Sequence, residues 1–372
     1  MFKIFIEESI LAKIVDWIAD APYRRHLYPP TSEEKKQENA KLDAAYSKVY
    51  KLLQQQKKIF TTAHTSKYSR LQAFQKENKI TVDGSMTSYI DHIADDPSSV
   101  LQQPSSLFIL NIPVSEAERI QKSYGVMCLS GDNVDISPLI DVNDIHISNE
   151  REKLGRGWDS VLDSVETLPS NALLLTDRYL FAFRHPNAGD GLANIREILD
   201  ELLPKTFLGG DYHVTVVFDD KSKHASYTFD EIVTKLNRIK KQLGRAYPIM
   251  MEVLGVTPDC AIYNKLHPRL IISNYYLVEA GHKLAAFNED MGTARQTLLP
   301  LALFTESSLN GTSTPPLKAI DQTVSTLREF SKSLSNLTDH SVYLYAVNGQ
   351  RMEKCMSLRN RLTRDLRSSL VI

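Results

Sequence analysis

His267, Arg269 and Asn274 are the residues whose types and spacing most readily support chemistry, and they form the pattern H-x-R-x4-N. They lie within LHPRLIISNYYLVEAGHKLAAF, residues 266–287. Residues i and i+2 of a strand point to one face, so an extended backbone projects His267 and Arg269 together. An imidazole beside a cation is an anion-binding pair, and a planar guanidinium can grip a phosphate through two parallel hydrogen bonds. The apolar runs LII and YYLV flank Ser273-Asn274, which predicts a β-hairpin or a bent pair of strands. The competing reading is structural: His267 and Arg269 flank a tight corner at Pro268 and bond to nearby backbone.

The pattern resembles the H-x-K-x4-D signature of the phospholipase D superfamily, whose members are phosphodiesterases and nucleases. In that family a His attacks phosphorus, a His from a second motif protonates the leaving group, and the Lys neutralises the phosphate oxygens. The longer run H-x-R-x-I…N…G…L-x-x-F also resembles the single degenerate motif of certain eukaryotic phospholipase-D-like domains. That resemblance implies binding of a phosphate or lipid headgroup without catalysis. Three departures bear on the chemistry. Arg269 stands for Lys, Asn274 stands for Asp, and the chain carries one copy of the motif. An active site of this type needs two His residues, so catalysis through His267 would require a homodimer.

A second chemistry uses acids. Glu7 and Glu8 follow the first apolar run, and Asp177 closes ALLLTD ahead of Arg178. PIN-type metal nucleases hold Mg²⁺ or Mn²⁺ on carboxylates placed this way, which nominates Glu7 and Asp177 as metal ligands in an alternative reading. That family begins with Asp, however, and its domain is shorter than the span from Glu7 to Asp177. The plain account of these acids is helix N-terminal charge and solvated loops, as for Asp132, Asp135, Asp141 and Asp144 in the middle of the chain. His213-Val214-Thr215 supplies one of the two H-x-T copies that 2H phosphoesterases require. Arg351–Arg367 concentrates Arg351, Lys354, Arg359, Arg361, Arg364 and Arg367 against only Glu353 and Asp365. As a helix this stretch would lie along phosphates or pack with its basic face outward. Gly155-Arg156-Gly157 lacks the preceding strand and third glycine of a dinucleotide fingerprint. No phosphate loop, GxSxG elbow or HExxH is present.

Bulk properties limit the partners. Forty-four Lys and Arg against 45 Asp and Glu give a net charge of −1, so binding to nucleic acid or anionic lipid must come from a local patch. Cys128, Cys260 and Cys355 are three, widely spaced and without CxxC spacing. They suit neither a disulfide framework nor a thiolate metal site and point to a reducing compartment, the cytoplasm. No apolar run reaches the roughly 20 residues of a membrane span, and no cofactor is expected.

These residues must be positioned by strands and helices that alternate. The sequence predicts strands at 2–6, 58–63, 107–112, 126–130, 172–177, 213–218, 248–254 and 341–347. Helical spacing joins Ile10, Leu11, Ile14, Val15 and Ile18, and a second helix opens with Thr31 and Glu34 at capping-box spacing. Further helices fall at about 190–203, 229–243 and 317–335, with a loop at 305–316. A strand–helix–strand unit over 107–130 calls for parallel pairing. At 372 residues two domains are expected, divided in the acidic, turn-rich stretch 131–150. The fold class is therefore α/β: two sheet-containing halves with helices packed around them, 1–150 and 151–372, the latter phospholipase-D-like if the resemblance holds. The leading functional reading is a module that binds a phosphate-bearing ligand, nucleic acid ahead of lipid, through His267, Arg269 and Asn274. The alternatives are a nuclease or phosphodiesterase, working through His267 in a dimer or through a metal on Glu7 and Asp177, and a structural partner in a larger complex.

Overall fold

Ile4, Phe5 and Ile6 are all fully buried, and a strand buried on both faces must be covered by helices on both sides. The computed structural model contains two sheets, each with helices in the connections between its parallel strands. It describes residues 2–26, 32–62, 68–140, 145–147, 168–182, 190–219, 227–257, 269–279, 284, 296–300, 341–345, 352–354 and 358–363. The chain divides into two compact units between Asp141 and Val142, with Ser123–Gly125 counted in the second.

In the first unit, strands β1 (Lys3–Ile6), β2 (Lys58–Thr61), β3 (Thr81–Asp83), β4 (Ser106–Leu110) and β5 (Met127–Ser130) form one sheet in the order β3-β2-β1-β4-β5. Every pairing in it is parallel, as the strand–helix alternation requires. The connections carry α1 (Glu8–Ala19), α2 (Ala21–His26), α3 (Glu33–Gln54), α4 (Ser69–Asn78), α5 (Thr87–Asp95) and α6 (Val114–Tyr124), and α7 (Ser137–Ile140) follows β5. On one face of the sheet Phe5 stacks between Phe60 and Phe108 at 5.0 and 4.9 Å, its register partners on β2 and β4. Such aromatic pairs add about 0.5–1.5 kcal/mol each beyond the area they bury. Helix α1 buries Ile10, Leu11, Ile14 and Val15, the apolar stripe read from the sequence. The cap of α3 is Ser32, whose hydroxyl accepts from the Lys35 N–H at 3.2 Å. This lies one residue after the expected Thr31, which is outside the described residues.

The second unit holds a nine-stranded mixed sheet. Its strands are β6 (Ile145–Ile147), β7 (Ala172–Thr176), β8 (Tyr212–Asp219), β9 (Ile249–Val256), β10 (Leu270–Ser273), β11 (Tyr276–Glu279), β12 (Gln296–Pro300), β13 (Ser341–Tyr345) and β14 (Met352–Lys354), in the order β14-β13-β9-β8-β7-β10-β11-β12-β6. The central β7, β8 and β9 are parallel, joined through α8 (Gly191–Leu202) and α9 (Phe229–Gln242). The remaining pairings are antiparallel. Helix α9 begins with a capping box between Thr228 and Glu231 and buries Ile232, Val233, Leu236 and Ile239. Burying each such side chain is worth about 1.5–3 kcal/mol.

The expected basic C-terminal helix over 351–367 is corrected. Met352–Lys354 pairs with β13, and 358–363 is an irregular segment with a turn at 361–363. That segment is held by Glu252, which is buried in β9 beside its register partner Thr215. The Glu252 carboxylate accepts the Thr215 hydroxyl at 2.7 Å, the Asn360 N–H at 3.1 Å and the Arg359 N–H. Arg361, one of the cations of that stretch, donates to the carbonyls of Asn171, Asp211 and Gly209 at 3.1, 2.6 and 3.1 Å. The expected helix at 317–335 and loop at 305–316 lie outside the described residues.

Candidate functional site

The hairpin expected around Ser273-Asn274 forms, with β10 and β11 joined through Asn274 and Tyr275. Its other partner is β7, in a register that sets Leu270 opposite Thr176 and Ser273 opposite Leu173. Antiparallel pairing therefore aligns Arg269, just before β10, with Asp177, just after β7. Asn274 is carried to the opposite end of β10, beside the start of β7. One strand thus separates two residues that the sequence pattern grouped.

At that far end Asn274 is fully buried. Its Oδ1 accepts the N–H groups of Asn171 and Ala172 at 2.9 and 3.2 Å, and its Nδ2 donates to Asn171 Oδ1 at 2.9 Å. The side chain braces the entry to β7. Asn274, expected to bind ligand, has its amide engaged by backbone and by Asn171 in a site without solvent exposure.

At the near end Arg269 Nε lies 3.8 Å from Asp177 Oδ1; the Arg269 side chain keeps 22% exposure and the Asp177 side chain none. This is beyond hydrogen-bond reach, so the carboxylate attracts the guanidinium without occupying its N–H groups. Arg269 Nε is buried with no hydrogen-bond partner among the described residues. The loop beneath is tightly tied. Tyr179 N–H donates to the same Asp177 oxygen at 2.8 Å, the Leu180 N–H to the Asp177 carbonyl at 3.2 Å, and the Asp219 N–H to the Arg178 carbonyl at 3.1 Å. Gly191, the first residue of α8, permits this course: a Cβ there would stand 2.1 Å from the Leu180 carbonyl oxygen. Arg178 lies 5.6 Å from the centre of the Tyr179 ring, and Tyr179 is 41% exposed. All of these groups gather at the carboxyl end of the parallel strands, where open α/β sheets bind ligands. His267 lies outside the described residues.

The acid reading divides between the two sheets. Asp177 directly follows β7 of the second unit, whereas Glu7 directly follows β1 of the first. Glu7 Oε1 accepts the Asn111 N–H at 2.6 Å, at the point where the strand order of the first sheet reverses between β1 and β4. A cavity of about 200 Å³ there is lined by Glu7, Asp91 and Glu116 with apolar Ile90, Leu110 and Ile112. Arg119 grips Glu116 through two bonds of 2.8 and 2.6 Å, and these hold its carboxyl below the usual range. No group of three or more His, Cys, Asp or Glu side chains among the described residues could hold a metal ion. The donor set does not fit one. The H-x-T half-motif is likewise occupied: Thr215 donates to Glu252 and accepts from Asn360 Nδ2 at 3.0 Å.

Arg178 and Tyr179 escaped the sequence reading as site residues. Their signal was position, immediately after a buried strand, and it gains meaning only once that strand is known to be parallel to its neighbour. Comparison with known proteins finds no matching family model, no matching curated protein and no matching solved structure. No described helix is long and apolar enough to cross a membrane.

Proposed function

We propose that the second unit is a binding module for a phosphate-bearing ligand, received at the carboxyl end of β7, with Arg269 as the principal cation and His267 two residues before it. One observation carries this reading. The Arg269 guanidinium is drawn to the fully buried Asp177, yet its Nε has no hydrogen-bond partner among the described residues. A buried carboxylate at 3.8 Å orients the cation and lowers the entropy cost of presenting it. The exposed part of the guanidinium then serves an external acceptor, and a phosphate matches the planar fork.

Arg269→Lys tests this most directly, because it keeps a positive charge beside Asp177 while removing the fork. Affinity for pyrophosphate and for short oligonucleotides should fall in Arg269→Lys and fall further in Arg269→Ala, by about 1.5–3 kcal/mol for lost charge-assisted bonds. The melting temperature should hold in Arg269→Lys and drop in Arg269→Ala, which leaves Asp177 buried without its cation. Wild-type affinity in both variants would sink the proposal.

A further inference from the structure

We infer that the ligand of this site is single-stranded nucleic acid, with the Tyr179 ring as a stacking platform for a base and Arg269 as the cation for the adjoining phosphate; this rests on the phosphate-binding reading above. Two groups of different chemistry are registered on one atom. The Tyr179 N–H lies 2.8 Å from Asp177 Oδ1, and Arg269 Nε lies 3.8 Å from the same oxygen. A large aromatic side chain left 41% exposed, two residues after the fully buried Asp177, does not contribute a full share of its area to the core. Its backbone is fixed from both sides, by its N–H to Asp177 and by its carbonyl, which accepts the Ala182 N–H at 3.0 Å. The ring therefore stands on a rigid base. Arg178 at 5.6 Å from the ring centre adds a cation beside the aromatic face.

Exposed aromatic rings interleaved with cations are the means by which proteins hold single strands, because every base offers a π-face and every linkage a phosphate. A duplex presents phosphates but keeps its bases stacked inside, so it can use Arg269 and not Tyr179. Free pyrophosphate can likewise use only the cation. A chain of net charge −1 gives no general attraction to polyanions, so binding must depend on this local pairing.

The test uses the full-length protein, labelled single-stranded oligonucleotides, the matching duplex and pyrophosphate. Tyr179→Ala should weaken single-strand binding by about fivefold to a hundredfold, the range of one lost base stack, and leave pyrophosphate affinity unchanged. Tyr179→Phe should bind as the wild type. Because the N–H bond to Asp177 belongs to the backbone, both variants should keep the wild-type melting temperature. Arg269→Lys should weaken all three ligands. Equal affinity for duplex and single strand, or an unaltered single strand affinity in Tyr179→Ala alongside a loss in Arg269→Lys, overturns this inference and leaves the phosphate reading standing. Unaltered affinity in both variants, or no binding of any probe, overturns both.

Discussion

Asn274 and Arg269 belong to one sequence pattern and lie at opposite ends of β10 in the structure. Removing the Asn274 amide would strand two buried N–H groups, those of Asn171 and Ala172, with a cost of about 1–3 kcal/mol for each. Asn274→Ala should therefore lower stability in urea unfolding by several kcal/mol while leaving phosphate affinity of the folded fraction intact; a stable variant with weakened binding would return Asn274 to the ligand site. Glu252 makes a prediction about pH. Burial raises its pKa above the ordinary 4.5, against the opposing pull of its hydrogen bonds with Arg359, Thr215 and Asn360. A raised folded pKa means that the folded state takes up the proton first, so this contribution to stability grows as pH falls and is lost as pH rises through the folded value. Glu252→Gln cannot titrate. Wild type should accordingly gain stability over Glu252→Gln as pH drops from 7 toward 4.5, and a gap in stability that stays flat, or moves the other way, would count against this assignment. The residue types of the pattern were visible in the sequence. Which end of β10 each would occupy was not, because that depends on a register with β7 about a hundred positions away.

Among elements, those with a full apolar period were legible and the weakly patterned ones were not. Helix α1 and strands β4, β7 and β8 stand out because half or more of their side chains are buried. Helix α4 buries only Leu71 and Phe74, and α5 only Ile90 and Ile93, so neither shows a sustained stripe. The short β3 has no fully buried residue and no pattern to read. The basic stretch near the C-terminus looked helical because cations recur with Met and Leu between them. Competing tertiary bonds decide otherwise: Glu252 takes two backbone N–H groups from 359–360, and strand pairing takes 352–354. The contact between the 177–182 loop and α8 can be tested through Gly191. A Cβ at 2.1 Å from a backbone oxygen cannot be relieved by rotating a side chain, so Gly191→Ala must move the loop or the helix. We expect a loss of about 1–3 kcal/mol in thermal or urea unfolding, together with weaker single-strand binding as Tyr179 shifts. Wild-type behaviour in both measurements would show that the loop adapts without cost.

At the scale of the molecule, alternation of strands and helices sufficed for the α/β class and for two sheets, since parallel pairing follows from helical crossovers. Strand order did not follow. Nothing local in Ile145–Ile147 marks it as the edge of a nine-stranded sheet, or Gln296–Pro300 as its partner. That same wiring has a consequence for how the protein comes into being. The first sheet is complete in sequence by Ser130, with β1 to β4 as its longest-range pairing. The second waits: β6 emerges from the ribosome early and has no partner until Gln296–Pro300 follows, and Asn360 bonds the Leu173 carbonyl across 187 residues. Distant pairings form slowly, so a growing chain carries one finished sheet and the open edges of another. During that interval the nascent second unit is exposed to wrong strand partners, and Asn360, far along the sequence from β7, is among the residues that close it.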